Sequence, residues 1–278
     1  FTLSLPPTVE PVPPQLPIVH LDTDPWQLGK NWPAAVGLFG DPQSTLPELV
    51  ADIRARQTQA QNERAASRNM EVRAQNAAIV AALVTEAMAG ADRSPIPPLS
   101  LLHATGELLP ADTILVDEAV SSERGIRHFF RGDRDDSYHG VRGGGIGWGI
   151  PAAVGVALAH PGRRVVALVG DGAAMYSPQG LWTAAHCALP IVFVILVNRS
   201  YNVLAQRLRA MNGIAVRENR YVGMDLVPHI DYVSLGRSQG VESVAVDRLP
   251  AYRSSLAHAL AQPGPSLIAV EIERAKVG

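Results

Sequence analysis

Two short apolar runs, Val165-Val166-Ala167-Leu168-Val169 and Ile191-Val192-Phe193-Val194-Ile195-Leu196-Val197, do most to restrict the fold of this chain. Both are rich in β-branched residues and neither alternates with polar ones. That is the pattern of strands buried on both faces of a parallel sheet. Parallel neighbours need a crossover, and residues 177–189 read as its helix. The first run leads into Gly170-Asp171-Gly172 and the second into Asn198, 27 residues after the aspartate. A carboxylate and a carboxamide thus fall at the carboxyl ends of neighbouring strands, the edge where open α/β sheets bind ligands. Both supply hard oxygen donors suited to Mg2+. Gly170 and Gly172 permit close backbone approach by a phosphate-bearing ligand. The carbonyl of Ser200 is the third protein donor expected, with water and diphosphate oxygens filling the other octahedral positions.

The rest of the chain extends this α/β pattern. Strands are expected at 18–22, 36–41, 113–117 and 267–272, and helices from Ser44 or Thr45 to about Gln57, at 99–108 and at 150–159. Their alternation predicts a doubly wound parallel sheet with helices on both faces. Residues 1–57 are too few to bury a good core alone and read as the remaining half of an α/β domain. Residues 58–98 read as a linker with a helix whose apolar stripe is Ile79, Leu83, Val84 and Met88, and 99–278 as the diphosphate-binding domain. The chain opens at Phe1, and six prolines within residues 1–17 suit a surface segment, so a piece of a longer polypeptide is expected.

Composition removes several classes. A formal charge of −2 gives no reason to expect nucleic acid or an anionic membrane as partner. No apolar run approaches the ~20 residues of a membrane span, and a cytoplasmic protein is expected. Cys187 is the single cysteine, which excludes an internal disulfide and an all-cysteine zinc site; it reads as a buried, inert thiol on the crossover helix. The eight histidines are scattered without ligand spacing and read as structural, with His139 the first to test. There is no Gly-x-x-x-x-Gly-Lys-Ser/Thr motif, which argues against a P-loop phosphatase or nucleotide-binding protein.

Gly-Asp-Gly followed at this distance by Asn resembles the cofactor motif of thiamine-diphosphate enzymes, with Arg199 standing where that family often has a second asparagine. Gly143-Gly144-Gly145-Ile146-Gly147-Trp148-Gly149-Ile150-Pro151 resembles the segment preceding the motif in 2-oxo acid decarboxylases and acetolactate synthases. Tyr176-Ser177, Leu181-Trp182-Thr183-Ala184-Ala185 and Tyr201 are most similar to the benzoylformate decarboxylases. His20 to Pro25 with Gly40-Asp41 resembles the end of the family's central domain, so the likeness runs over nearly the whole chain, to the family's carboxyl-terminal half. The resemblance implies a non-oxidative decarboxylation of a 2-oxo acid to an aldehyde, with acetolactate synthase-like carboligation as the alternative. No flavin signature is found. A non-catalytic cofactor-binding or assembly subunit is the reading from another class.

By that resemblance Asp171, Asn198 and Ser200 hold Mg2+. Ser121, Ser122, Gly170, Gly172, Ala173 and Tyr201 bind thiamine diphosphate. The Gly144 carbonyl accepts from the aminopyrimidine, and Ile146 wedges the cofactor into its bent form. Leu204 and Arg207 line the substrate pocket, Arg207 standing where benzoylformate decarboxylase has an aromatic residue. The family's activating glutamate belongs to an amino-terminal pyrimidine-binding portion. Glu118 and Glu123 fall on the diphosphate side and do not replace it. No catalytic residue is therefore expected in this chain itself. The pyrimidine-binding portion is expected as a cleaved piece or a separate subunit, within a dimer of dimers (a homotetramer).

Overall fold

The computed structural model describes residues 12–120, 125–141, 143–211 and 213–274, without the side chains of Arg207 and Ala210. Ser121, Ser122 and Glu123 lie outside the described residues, as does the side chain of Arg207. The chain divides into two compact units, Phe1–Ala74 and Gln75–Gly278.

In the first unit, β1 (Val19–Asp22) and β2 (Val36–Phe39) pair in parallel, Val19 opposite Val36 and Asp22 opposite Phe39. Helix α1 spans Pro42–Arg56, starting earlier than the Ser44 or Thr45 expected. Asp41 is the better cap: its carboxylate accepts the Gln43 N–H at 3.0 Å, and Pro42 behind it has no N–H to satisfy. Pro47 consequently sits inside the helix rather than in its first turn. None of the described residues 12–74 is buried.

Helix α2 (Gln59–Ala89) is one continuous helix of 31 residues where a linker followed by a helix was expected. It contains no glycine or proline, and i,i+4 side-chain bonds such as Gln59 to Glu63 at 3.0 Å and Ser67 to Glu71 at 3.1 Å support its polar half. Its last turns bury Leu83 and Ala87 against Leu99 and Phe129.

The second unit is built on six parallel strands: β3 (Ile114–Glu118), β4 (Tyr138–Gly140), β5 (Val165–Gly170), β6 (Ile191–Val197), β7 (Glu242–Val246) and β8 (Ser266–Glu271). Their order is β4-β3-β5-β6-β8-β7. The helices are α3 (Pro98–Leu108), α4 (Ile126–Phe129), α5 (Gly149–Ala159), α6 (Asp171–Ala174), α7 (Gly180–His186), α8 (Asn202–Ala210), α9 (Ile214–Arg217), α10 (Tyr232–Ser238) and α11 (Leu249–Ala261). All seven residues of β6 are buried. Val165, Ala167, Val169, Phe193 and Ile195 pack under α5, α7 and α10. Val166, Leu168, Val192, Val194 and Leu196 pack under α3 and α11 on the other face. Each of the valine, leucine, isoleucine and phenylalanine side chains contributes about 1.5–3 kcal/mol of apolar burial. The fold is thus α/β, a doubly wound parallel sheet with both faces covered.

Two expectations need correction here. The crossover helix is shorter than 177–189, because Ala188 turns left-handed at φ 48° and ends it. Cys187, at the end of that helix, is exposed rather than buried. Strands β4 and β7 were not expected at all.

Candidate functional site

The strand order reverses between β3 and β5: the chain steps outward from β3 to β4, then crosses back to continue as β5 and β6. A switch point of this kind opens a crevice at the carboxyl ends of the strands. The register brings those ends level, Glu118 lying opposite Val169 and Gly170 opposite Leu196. A cavity of about 550 Å³ opens there. It is lined by Gly144, Ile146, Gly170, Asp171, Gly172, Ala173, Asn198, Ser200, Tyr201 and Leu204, so these ten expected positions are brought together.

Asp171 is 2% exposed. Its Oδ1 accepts the Gly172 N–H at 2.9 Å, and its Oδ2 accepts the N–H groups of Asn198 at 3.0 Å and Arg199 at 2.5 Å. One carboxylate therefore ties the end of β5 to the turn after β6. Tyr232 of α10 donates to the Asp171 carbonyl at 2.9 Å, a support the sequence reading missed. Burial pushes the Asp171 carboxyl above its usual range, and the three backbone donors only partly offset this. Among the described residues no cationic side chain pairs with it: the Arg199 guanidinium turns to Glu271 at 2.8 Å. A buried carboxylate without a counter-charge is costly, and a bound cation would relieve that cost.

The neighbouring oxygens fit such a cation. Asn198 Oδ1 accepts the Ser200 N–H at 2.9 Å and keeps a second lone pair. Arg199 sits left-handed at φ 58°, which turns the chain sharply between Asn198 and Ser200. Tyr201 N–H donates to Met224 and Leu226 N–H to Arg199, so Ser200 and Asp225 form an antiparallel bridge. In a pair bonded through its flanking residues, the carbonyl of Ser200 points away from Asp225 and stays open as a ligand. Among the described residues no group of three His, Cys, Asp or Glu forms a metal site. A cation here would rest on one carboxylate, one carboxamide and one carbonyl, a set suited to Mg2+.

Glu118, set aside by the sequence reading, organises the glycine run. Its Oε1 accepts the N–H groups of Gly147 at 2.7 Å and Trp148 at 3.1 Å, and its Oε2 that of Gly149 at 2.6 Å. Ser177 donates to the Gly147 carbonyl at 2.8 Å. The end of the loop, residues 147–149, is thus fixed to the end of β3 and to the crossover. Gly147 is required there: its φ is +88°, and a Cβ would lie 2.3 Å from that of Tyr176. At Gly172 a side chain would meet the Tyr201 ring at 2.5 Å, so packing against Tyr201 is itself a reason for that glycine. His139 lies elsewhere, lining a separate cavity of about 690 Å³ along β4 with Arg127 and Trp148.

A doubly wound sheet whose switch-point pocket joins a buried carboxylate to a glycine loop defines an α/β domain that takes a ligand at its carboxyl edge. Residues 121–270 match the thiamine pyrophosphate enzyme family, in its C-terminal TPP binding domain, and the chain belongs to that family. It is 35% identical to benzoylformate decarboxylase of Pseudomonas aeruginosa over 63% of this chain and 32% of that protein. It is 29% identical to the acetolactate synthase large subunit of Parasynechococcus marenigrum over 94% of this chain and 40% of that protein. The crystal structure of benzoylformate decarboxylase from Polynucleobacter necessarius superposes with a TM-score of 0.60 at 32% identity, over 65% of this chain and 34% of that one. The chain thus spans between about a third and two-fifths of the length of these relatives.

Proposed function

We propose that this chain is the diphosphate-binding part of a benzoylformate decarboxylase-like enzyme that converts a 2-oxo acid to an aldehyde without oxidation. The observation that carries the reading is Asp171, buried beside Asn198 at the switch point with no cationic side chain paired to it among the described residues. Asp171, Asn198 and the Ser200 carbonyl would hold Mg2+. Gly170, Gly172, Ala173 and Tyr201, with Ser121 and Ser122, would bind the diphosphate. The Gly144 carbonyl would accept from the aminopyrimidine, Ile146 would support the bent cofactor, and Leu204 and Arg207 would face the substrate. Thiamine diphosphate, when bound, supplies the nucleophilic carbon and the electron sink. This chain's residues bind it, orient it and exclude water around it.

Both Glu118 oxygens are engaged by the glycine loop. We therefore assign the activating carboxylate to a pyrimidine-binding portion supplied by another segment or subunit, in a cytoplasmic dimer of dimers. Carboligation is the second reading, favoured by the match to acetolactate synthase over 94% of the chain.

Mg2+ with thiamine diphosphate is expected to raise the melting temperature by several degrees, and Asp171→Ala to remove most of the rise. An unchanged wild-type curve overturns the reading. A panel of 2-oxo acids, followed for CO2, aldehyde and hydroxyketone, separates decarboxylase from carboligase. Cofactor binding without turnover in the assembled protein would indicate the non-catalytic subunit instead.

A further inference from the structure

Asn202 is the first residue of α8. It is 2% exposed, and it lines the same cavity as Asp171, Asn198 and Ser200. Its side-chain Nδ2 is buried with no hydrogen-bond partner among the described residues. A buried amide donor left unmade costs about 1–3 kcal/mol, so such groups in folded proteins nearly always have an acceptor. The acceptor Asn202 lacks is therefore expected from a ligand in the cavity.

The surroundings define the acceptor's chemistry. Asn202 stands at the amino end of a nine-residue helix, where the first N–H groups have no intrahelical partner and the dipole favours negative charge. No lysine or arginine occurs among the described residues lining the cavity. Among the described residues, an anion here would meet a cation at the Asp171 site and neutral N–H donors. A primary amide beside a helix amino terminus matches an anionic oxygen that the cation leaves free.

We propose that Asn202 donates its Nδ2–H to an oxygen of the bound diphosphate and is a positioning residue for the cofactor. The proposal rests on the reading of Asp171, Asn198 and Ser200 as a Mg2+-diphosphate site. The carboxylate of a 2-oxo acid offers the same acceptor chemistry, so the test separates the two sources.

The protein, assembled with its pyrimidine-binding portion, is titrated calorimetrically with Mn2+ alone, with Mg2+ plus inorganic diphosphate, and with Mg2+ plus thiamine diphosphate. Asn202→Ala is expected to weaken both diphosphate ligands about tenfold, the loss of one charge-assisted hydrogen bond. Asn202→Asp, which sets a carboxylate against the anion, is expected to weaken them further. Mn2+ affinity is expected to be unchanged in Asn202→Ala. The ligand-free melting temperature is expected to hold or rise, because the substitution breaks no bond within the chain. If wild type binds neither diphosphate ligand, the metal-site reading itself fails, and this inference with it. If wild type binds and Asn202→Ala binds equally well, only the role of Asn202 is overturned. A fall of several degrees in the ligand-free variant would make Asn202 structural and overturn the proposal. Unchanged cofactor affinity with a raised KM for 2-oxo acid in the assembled enzyme would move the acceptor to the substrate, and also overturns it.

Discussion

Two carboxylates less than sixty residues apart do similar work at the mouth of this sheet. Asp171 gathers the N–H groups of Gly172, Asn198 and Arg199, and Glu118 those of Gly147, Trp148 and Gly149. The first was legible in the sequence because its chemistry lies in local spacing: strand, Gly-Asp-Gly, helix, strand, Asn. The second was not, because its partners lie 29 to 31 residues downstream in a loop whose path no local propensity sets. The signal that could have found it is an acidic residue ending a wholly buried strand, with a glycine run to follow. Glu118→Ala leaves three N–H groups without their acceptor and is expected to destabilise the second unit by about 3 kcal/mol. Glu118→Gln, which keeps one acceptor oxygen, is expected to lose roughly half of that. Urea denaturation of the two variants checks both values, and equal stability of Glu118→Ala and wild type would refute the anchoring role.

At the scale of elements, the strands buried on both faces were readable and the edge strands were not. In β5 and β6 nearly every residue is apolar and covered, so composition alone marks them. β4 has three half-buried residues, and β7 exposes three of its five, so neither carries that signature. What holds β4 is specific: the Tyr138 hydroxyl donates to Asp117 of β3 at 2.8 Å, with Arg127 over its ring at 5.0 Å. Burial, with Asp117 adding to it and Arg127 opposing it, pushes the Tyr138 hydroxyl up to about 12 from 10. The folded chain then keeps this proton to higher pH than the unfolded chain. The tyrosine's contribution is complete below pH 10 and is lost as pH rises from 10 towards 12. Stability measured across that window is expected to fall, and less steeply in Tyr138→Phe. The slope is not abolished, because burial also raises Tyr232 and Tyr252. An identical slope in Tyr138→Phe would contradict the assignment.

At the scale of the whole molecule, the two units differ in what holds them. The second has a core on each face of its sheet, whereas the first buries none of its described residues. Residues 1–57 were expected to be too few for a core; the unbroken run of α2 was not legible, because polar helices and polar linkers share a composition. Arg64, Arg68 and Arg73 stand on the exposed half of α2. Brief trypsin treatment is expected to cut there first and leave a resistant fragment beginning near Gln75, identified by mass. Early cuts after Arg163, Arg164 or Arg199, which flank β5 and β6, would show the second unit to be the weaker one. The turn after β6 bears on a different property. Its residues already hang from the Asp171 carboxylate and from the strand-like contact with Met224 and Leu226 before any ligand arrives. Fixing a residue's backbone costs about 1–2 kcal/mol of entropy. Here folding has met that cost in advance, so capture of a ligand should show little loss of chain disorder, and its speed should be set by diffusion and dehydration rather than by loop closure.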